Sequence, residues 1–237
     1  MQWVRFILGC CVLSCSAFVL NAGPQSGTLI GIVSFRGTPL RKAPLDLGKE
    51  PDCLKLRAKD PLTDETVVVG RGNGLANVVV YIRAGETENS LTPAVPVSFA
   101  EKGCRYKPRV LAVEIGQEIK ISNDDPVAHN IHPIAKVNRD WSRLEPPGTP
   151  SFSYSYEKEE IIPVKCNIHP WMQGYFVVLK TSHFAITGED GVFRMPDLPP
   201  GKYTVAAWHE SLGTQSQEVT VTKGESSSLY FVFPSQP

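Results

Sequence analysis

The stretch FAITGEDGVFRMPDLPPGKYTV, residues 184–205, sets short apolar runs between strong turn signals. Asp190-Gly191 is a dipeptide that supplies the positive φ a tight hairpin needs. Pro199-Pro200-Gly201 marks a second turn, and an alternating strand follows from Lys202. Working outward, Thr28–Phe35 (TLIGIVSF), Asn77–Arg83 (NVVVYIR) and Val110–Glu114 are β-branched runs bounded by Gly or Pro. Further strands are expected over Glu118–Ser122, Tyr175–Lys180, Lys202–Ala207, Gln217–Thr222 and Ser228–Phe233. No segment sustains apolar spacing at i, i+3, i+4, i+7, the signature of an amphipathic helix. At most one helical turn is expected near Asn138–Leu144. Arg41–Asn73 is polar and aperiodic and reads as a long ordered loop. The pattern predicts an all-β protein of the sandwich or barrel type.

The chain has 237 residues, enough for two ordinary domains with separate cores. Its 20 prolines and 19 glycines fit many turns and few long helices. Formal net charge is zero, and no Lys/Arg run or basic stripe points to nucleic acid.

Thr187-Gly-Glu-Asp190-Gly191-Val-Phe193 followed by Leu198-Pro-Pro-Gly-Lys-Tyr203 resembles the carboxypeptidase regulatory-like (transthyretin-like) β-sandwich. That sandwich usually opens with a strand such as Gly27–Phe35 and a following Gly37-Thr-Pro-Leu, which here lie far upstream. Two arrangements satisfy this separation. In the preferred one, residues 23–90 and 181–237 form a single discontinuous sandwich interrupted by an inserted domain at 91–180. In the other, two domains follow one another.

The N-terminus reads as a processing signal. Arg5 is followed by an apolar run from Phe6 to Leu20 and then Asn21-Ala22-Gly23, so residues 1–22 are expected to be a secretory signal peptide. Cleavage after Ala22 is preferred over Ala17, and lipidation at Cys10 or Cys15 is the lesser alternative because neither flanking sequence suits it. The run is short for a membrane span, which needs about 20 residues, so no transmembrane span is expected in the mature chain. The expected location is periplasmic or secreted. Cys10, Cys11 and Cys15 lie in the signal, leaving Cys53, Cys104 and Cys166. In an oxidising compartment two should pair, and the third needs a reason to persist as a thiol.

Metal ligation supplies the reason. In Val164-Lys-Cys166-Asn-Ile-His169-Pro-Trp-Met172-Gln-Gly174 a thiol, an imidazole and a thioether are spaced C-x2-H-x2-M on one short loop. Upstream, Asn123-Asp-Asp-Pro-Val-Ala-His129-Asn-Ile-His132 offers a second imidazole just after a strand, from His129 or His132. Two His, one Cys and a weak axial Met define a mononuclear copper site of the blue electron-transfer type. Zinc sites favour several Cys or His ligands, and a binuclear copper centre would need a second cysteine. No G-x-S-x-G, H-E-x-x-H or phosphate-binding glycine loop appears, so no enzymatic activity is expected.

From Val95 to Lys180 the chain resembles a cupredoxin of the amicyanin and plastocyanin group. The likeness rests on the Gly116-Gln-Glu-Ile-Lys-Ile-Ser-Asn123-Asp-Asp lead-in, His129-Asn130, and the C-x2-H-P-x-M-x-G loop running into Tyr175-Phe-Val-Val. The fold implied is a cupredoxin Greek-key β-sandwich or barrel beside the smaller transthyretin-like sandwich. The resemblance implies one copper per chain, with Cys166 as strong thiolate, His129 (rather than His132) and His169 as equatorial ligands, and Met172 as axial ligand. It also implies that Asn130 ties the two ligand segments together. One departure is Val164, where this group often carries an aromatic. The implied role is that of a one-electron carrier with a transient redox protein partner. Its electron would leave by the edge of His169, ringed by Pro133, Pro170 and Trp171. Copper delivery and a purely structural module are the alternatives, and oligomeric state is not readable. With Cys166 assigned to metal, Cys53 and Cys104 are left to form a disulfide that pins the long loop to the inserted domain. Trp208-His209-Glu210 reads as edge packing, and Asp124-Asp125 and Glu157–Glu160 read as solvated turn charges.

Overall fold

The computed structural model describes residues 26–38, 44–48, 50–85 and 95–235. The expected signal peptide at 1–22, with its three cysteines, lies outside the described residues, as does the expected boundary at 90 and 91.

Among the described residues the strands form four sheets stacked as layers. The first orders Val192–Leu198, Gly27–Arg36 and Ser226–Pro234. The second orders Phe184–Ile186, Val79–Gly85, Gly201–His209 and Gly213–Val221. These two enclose one core, in which Leu29, Val33, Phe193, Phe231 and Phe233 meet Val80, Ile82, Tyr203 and Val205. The third sheet orders Val110–Glu114, Gln173–Leu179, Glu160–Lys165, His129–Pro133 and Arg143–Glu145. The fourth orders Tyr106–Lys107, Val97–Glu101, Ile119–Asn123 and Phe152–Tyr154. A second core joins them, with Phe99, Ile119 and Ile121 facing Val113, Ile162, Val164 and Phe176. Strands from both ends of the chain thus build the first pair of sheets, and the segment from 97 to 179 builds the second.

Period-two alternation explains each layer. In Gly27–Arg36 the odd residues from Gly27 to Phe35 are buried, while Ile30 and Ile32 are 37% and 42% exposed. Val79–Gly85 shows no such alternation because both its faces are covered. Val80 and Ile82 enter the first core, while Val79 and the flanking Tyr81 enter a third cluster. That cluster also takes Val110 and Ala112, Val177 and Leu179, and Trp208, all from strands whose opposite faces line one of the other cores. The continuous apolar run Val78-Val79-Val80 is therefore the mark of a strand sandwiched between two layers. Each such side chain, fully buried, contributes about 1.5–3 kcal/mol. Beside this interface Arg109 donates through Nε and Nη2 to both oxygens of Glu210, at 2.5 and 2.8 Å. The Tyr175 and Trp208 rings meet there at 5.3 Å.

The turn at Asp190-Gly191 forms with the expected positive φ: Gly191 has φ +70° and its N–H donates to the Gly188 carbonyl at 2.9 Å, while a Cβ there would lie 2.1 Å from the Val33 carbonyl oxygen. It does not close a hairpin, because it carries the chain from one sheet to another: Phe184–Ile186 pairs with Val79–Gly85, and Val192–Leu198 pairs with Gly27–Arg36. Two further expectations fail. Asn138–Leu144 contains no helix: Arg143 and Leu144 begin a strand against His129–Pro133. The α-helix lies instead in the segment read as loop, at Pro51–Leu56. Pro51 opens it, where a missing N–H costs nothing, and Lys55 sits in its last turn. At six residues it is too short to show helical periodicity.

Candidate metal centre

The loop from Cys166 to Met172 joins the strands Glu160–Lys165 and Gln173–Leu179, which pair in register. The loop closes on itself. The Met172 N–H donates to the His169 carbonyl at 2.9 Å, the Cys166 N–H to the Met172 carbonyl at 3.3 Å, and the His169 N–H to Cys166 Sγ at 3.4 Å. Gly174 allows the close approach that follows, since a Cβ there would lie 3.0 Å from the Arg109 carbonyl oxygen and 3.3 Å from the Phe99 ring. Val164 is fully buried in the same core, where Phe99, Tyr106 and Phe176 supply the aromatic packing.

His129 opens the neighbouring strand and faces this loop. Its Nδ1 lies 3.0 Å from His169 Nδ1, and His169 Nδ1 lies 3.7 Å from Cys166 Sγ. One nitrogen of each histidine and the sulfur of Cys166 all fall within 4.8 Å of one another. His129 is 0%, His169 1%, Met172 1% and Cys166 5% exposed. Cys166 is the free cysteine among the described residues. Met172 packs in the same core as Cys166. His132 is not part of this cluster: its ring nitrogens face Asn167 and Asp140, each at 3.2 Å.

The surroundings orient the donors. Asn130 accepts from the Asn167 N–H at 3.2 Å and donates to the Arg143 carbonyl at 2.8 Å, so it links the His129 strand to the residue after Cys166. Asp125 was read as a solvated charge and is not one. It is 7% exposed, accepts from the N–H groups of Gly103 and Cys104 at 2.6 and 2.7 Å, and faces His129 Nε2 at 2.9 Å. A carboxylate on the outer nitrogen fixes which nitrogen of His129 points inward, a common arrangement behind metal-bound imidazoles. No spacing rule marks it, because residues 125–129 are not helical and i, i+4 neighbours meet only on a helix. Glu160 is likewise engaged, accepting from the N–H groups of Lys136, Val137 and Asn138.

Burial by itself disfavours a charged His129, but its bonds to Asp125 and Cys166 and the charges of Glu101 and Asp125 outweigh this and hold it up to about 9. His169 moves the other way, lowered by burial and by the neighbouring His129 charge. Glu101, fully buried with neither carboxyl oxygen hydrogen-bonded, is pushed up to about 8 by desolvation against the pull of His129. His209 was read as edge packing. It is fully buried, its Nδ1 accepts from the Ser211 and Leu212 N–H groups at 3.2 and 3.3 Å, and burial lowers it to about 4.

Cys53 and Cys104 form the expected disulfide. It does more than pin the loop. Cys53 Sγ lies 3.8 Å and Glu50 Oε2 3.9 Å from His169 Nε2. Leu47, Cys53, Leu62 and Cys104 form a small core there, with Leu45, Val127 and Trp171 packed against it. Glu50 and Cys53, backed by Leu45, Leu47 and Leu62, thus cover the edge of His169 that was expected to reach the surface. Of the three residues expected to ring that edge, Pro133 is buried in its strand, Pro170 is exposed, and Trp171 is partly exposed with its ring 5.0 Å from that of His169.

A thiol and two imidazole nitrogens brought together in a buried site make a soft donor set of the kind that suits copper, and Met172 is buried in the same core. Residues 172–234 match the family model of the carboxypeptidase regulatory-like domain. The match opens on the loop methionine, upstream of the boundary expected at 181. No curated protein matches the chain in sequence. Among solved structures, the Cu-containing nitrite reductase from Thermus scotoductus SA-01 is 19% identical with a TM-score of 0.34, over 42% of this chain and 25% of the reductase, so the chain spans a quarter of that protein. A purple cupredoxin from Nitrosopumilus maritimus is 23% identical with a TM-score of 0.30, over 35% of this chain and 99% of the cupredoxin. A reduced-state amicyanin variant is 18% identical with a TM-score of 0.32, over 42% of this chain and 98% of amicyanin.

Proposed function

We propose that the protein is an exported one-electron carrier with a single copper held by His129, Cys166, His169 and Met172. The observation that carries this reading is the convergence of two histidine Nδ1 atoms and one unpaired, buried thiol from two chain segments. A copper ion in such a set supplies reversible one-electron chemistry. The residues around it keep the donors in place through a change of charge. Asp125 fixes His129, the Met172 N–H holds the His169 carbonyl, and Asn130 couples the two segments. Four protein donors leave no position for a substrate, so the role is that of a carrier and not an enzyme. The cover over His169 favours retention of the metal over its delivery. A disulfide fits an oxidising, periplasmic or secreted setting. No helix among the described residues is long and apolar enough to cross a membrane. The partner is a redox protein met transiently.

The test is an absorption titration of the mature protein with Cu(II), beside Cys166→Ala. A strong visible thiolate-to-copper band, saturating at one copper per chain and missing in the variant, is expected. Tight colourless binding, or none, would overturn the carrier reading.

A further inference from the structure

Both imidazoles have their outer nitrogens occupied. His129 Nε2 faces Asp125, and His169 Nε2 faces Cys53 and Glu50, which cover it. Cys166 and Met172 are buried as well. None of the four donors therefore offers an edge to a partner. Trp171 does. Its ring lies against that of His169, and its indole N–H donates to the Cys104 carbonyl at 3.1 Å, which fixes the ring plane. It is partly exposed, and it lines a cleft of about 180 Å³ together with Thr66, Arg105, Met172 and Gln173. Among the ring contacts recorded for His169, the other is to the fully buried His129.

We propose that Trp171, and not the edge of His169, is the outlet through which the electron leaves the centre, and that the cleft beside Met172 is where an oxidant meets it. The inference rests on the carrier reading above. The step is a single electron passed from the reduced centre to a one-electron oxidant. No bond forms or breaks and no proton is required. Tunnelling falls steeply with distance, so a π-system in contact with a donor and open to solvent outcompetes a route through the cover.

The experiment measures oxidation of the reduced, copper-loaded protein by two small inorganic oxidants of opposite charge, hexacyanoferrate(III) and a cationic cobalt(III) complex, at low ionic strength. Gln173→Lys places a charge at the cleft mouth and Asp52→Lys places one on the cover; both side chains are exposed, and the 3.5 Å bond from Gln173 Nε2 to the Pro170 carbonyl is one a lysine ammonium can also donate. Gln173→Lys is expected to speed the anionic and slow the cationic oxidant by about two- to fivefold, with Asp52→Lys having the smaller effect. Trp171→Ala is expected to slow both oxidants by an order of magnitude with the visible band retained, rates being compared at equal driving force after the potential of each variant is measured, and Trp171→Phe is expected to recover part of the rate. Independently of rate, copper loading should quench a share of tryptophan emission that Trp171→Phe lacks. If charge at Asp52 governs the rates and charge at Gln173 does not, or if Trp171→Ala reacts as fast as the unaltered chain with its band intact, the outlet is elsewhere. Absence of a visible band in the unaltered chain would instead remove the carrier reading itself.

Discussion

At the scale of single residues, Asp125 does three things at once. It holds the Gly103–Cys104 turn, where Cys104 has φ +53°, it orients His129, and it raises the affinity of His129 for a proton. Replacing it with Ala is expected to weaken copper binding about 10- to 100-fold, as loss of such outer partners does, read by competition with a chelator. The proton has its own signature. With His129 raised from 6.5 to about 9 in the metal-free fold, its contribution to the stability of that fold is complete below 6.5 and is lost as pH rises through 9. Over the same window copper must displace this proton, and ligation through a thiolate releases another, so apparent affinity should climb at least about tenfold per pH unit from 7 toward 9. Affinity that stays flat across this range would place the proton elsewhere. That Cys166, His169 and Met172 meet on one closed, buried loop was legible in their spacing, because a tight loop makes sequence neighbours spatial neighbours. Asp125 was not, because nothing in a local Asp-Asp pair reveals that the turn at 103–104 folds over one of them.

Among the elements, the cover is the one the sequence concealed. A six-residue helix in a polar stretch carries no periodicity, and its placement depends on a cysteine 51 positions downstream. The long strands were readable because alternation or a both-faces-buried run survives in composition; short ones such as Arg143–Glu145 and Phe152–Tyr154 owe their conformation to neighbours already in place. Removing the latch with Cys53→Ser and Cys104→Ser together should cost about 2–4 kcal/mol in denaturant unfolding, the usual range for closing a loop of this size. It should also expose His169, so that a Cu(I) chelator strips the metal faster than from the oxidised protein. Equal stripping rates would mean that the cover stays seated without its covalent tie.

For the whole molecule, the third apolar cluster and the Arg109–Glu210 pair make the two halves a single mechanical body. Glu210 is 2% and Arg109 12% exposed at the side chain. Glu210→Ala leaves a buried guanidinium without its carboxylate and should cost about 3–5 kcal/mol, whereas removing both partners in favour of apolar residues should cost far less. Calorimetry checks both points: one transition for the unaltered chain, and a lowered or split transition for Glu210→Ala. Unchanged melting in that variant would mean that the halves are joined by the apolar cluster alone.

The interleaved order of the strands sets a sequence of events during synthesis. Gly27–Arg36 and Val79–Gly85 emerge first, yet their partners lie beyond residue 183. The segment from 97 to 179 contains all the pairings of its own two sheets and can close while the rest is still being delivered. That segment therefore matures in the company of two unmated apolar strands, whose open edges are sites for wrong pairing between chains. A chaperone that shields those two strands until the strands beyond residue 183 arrive would protect the yield of this protein more than one that acts on the segment from 97 to 179.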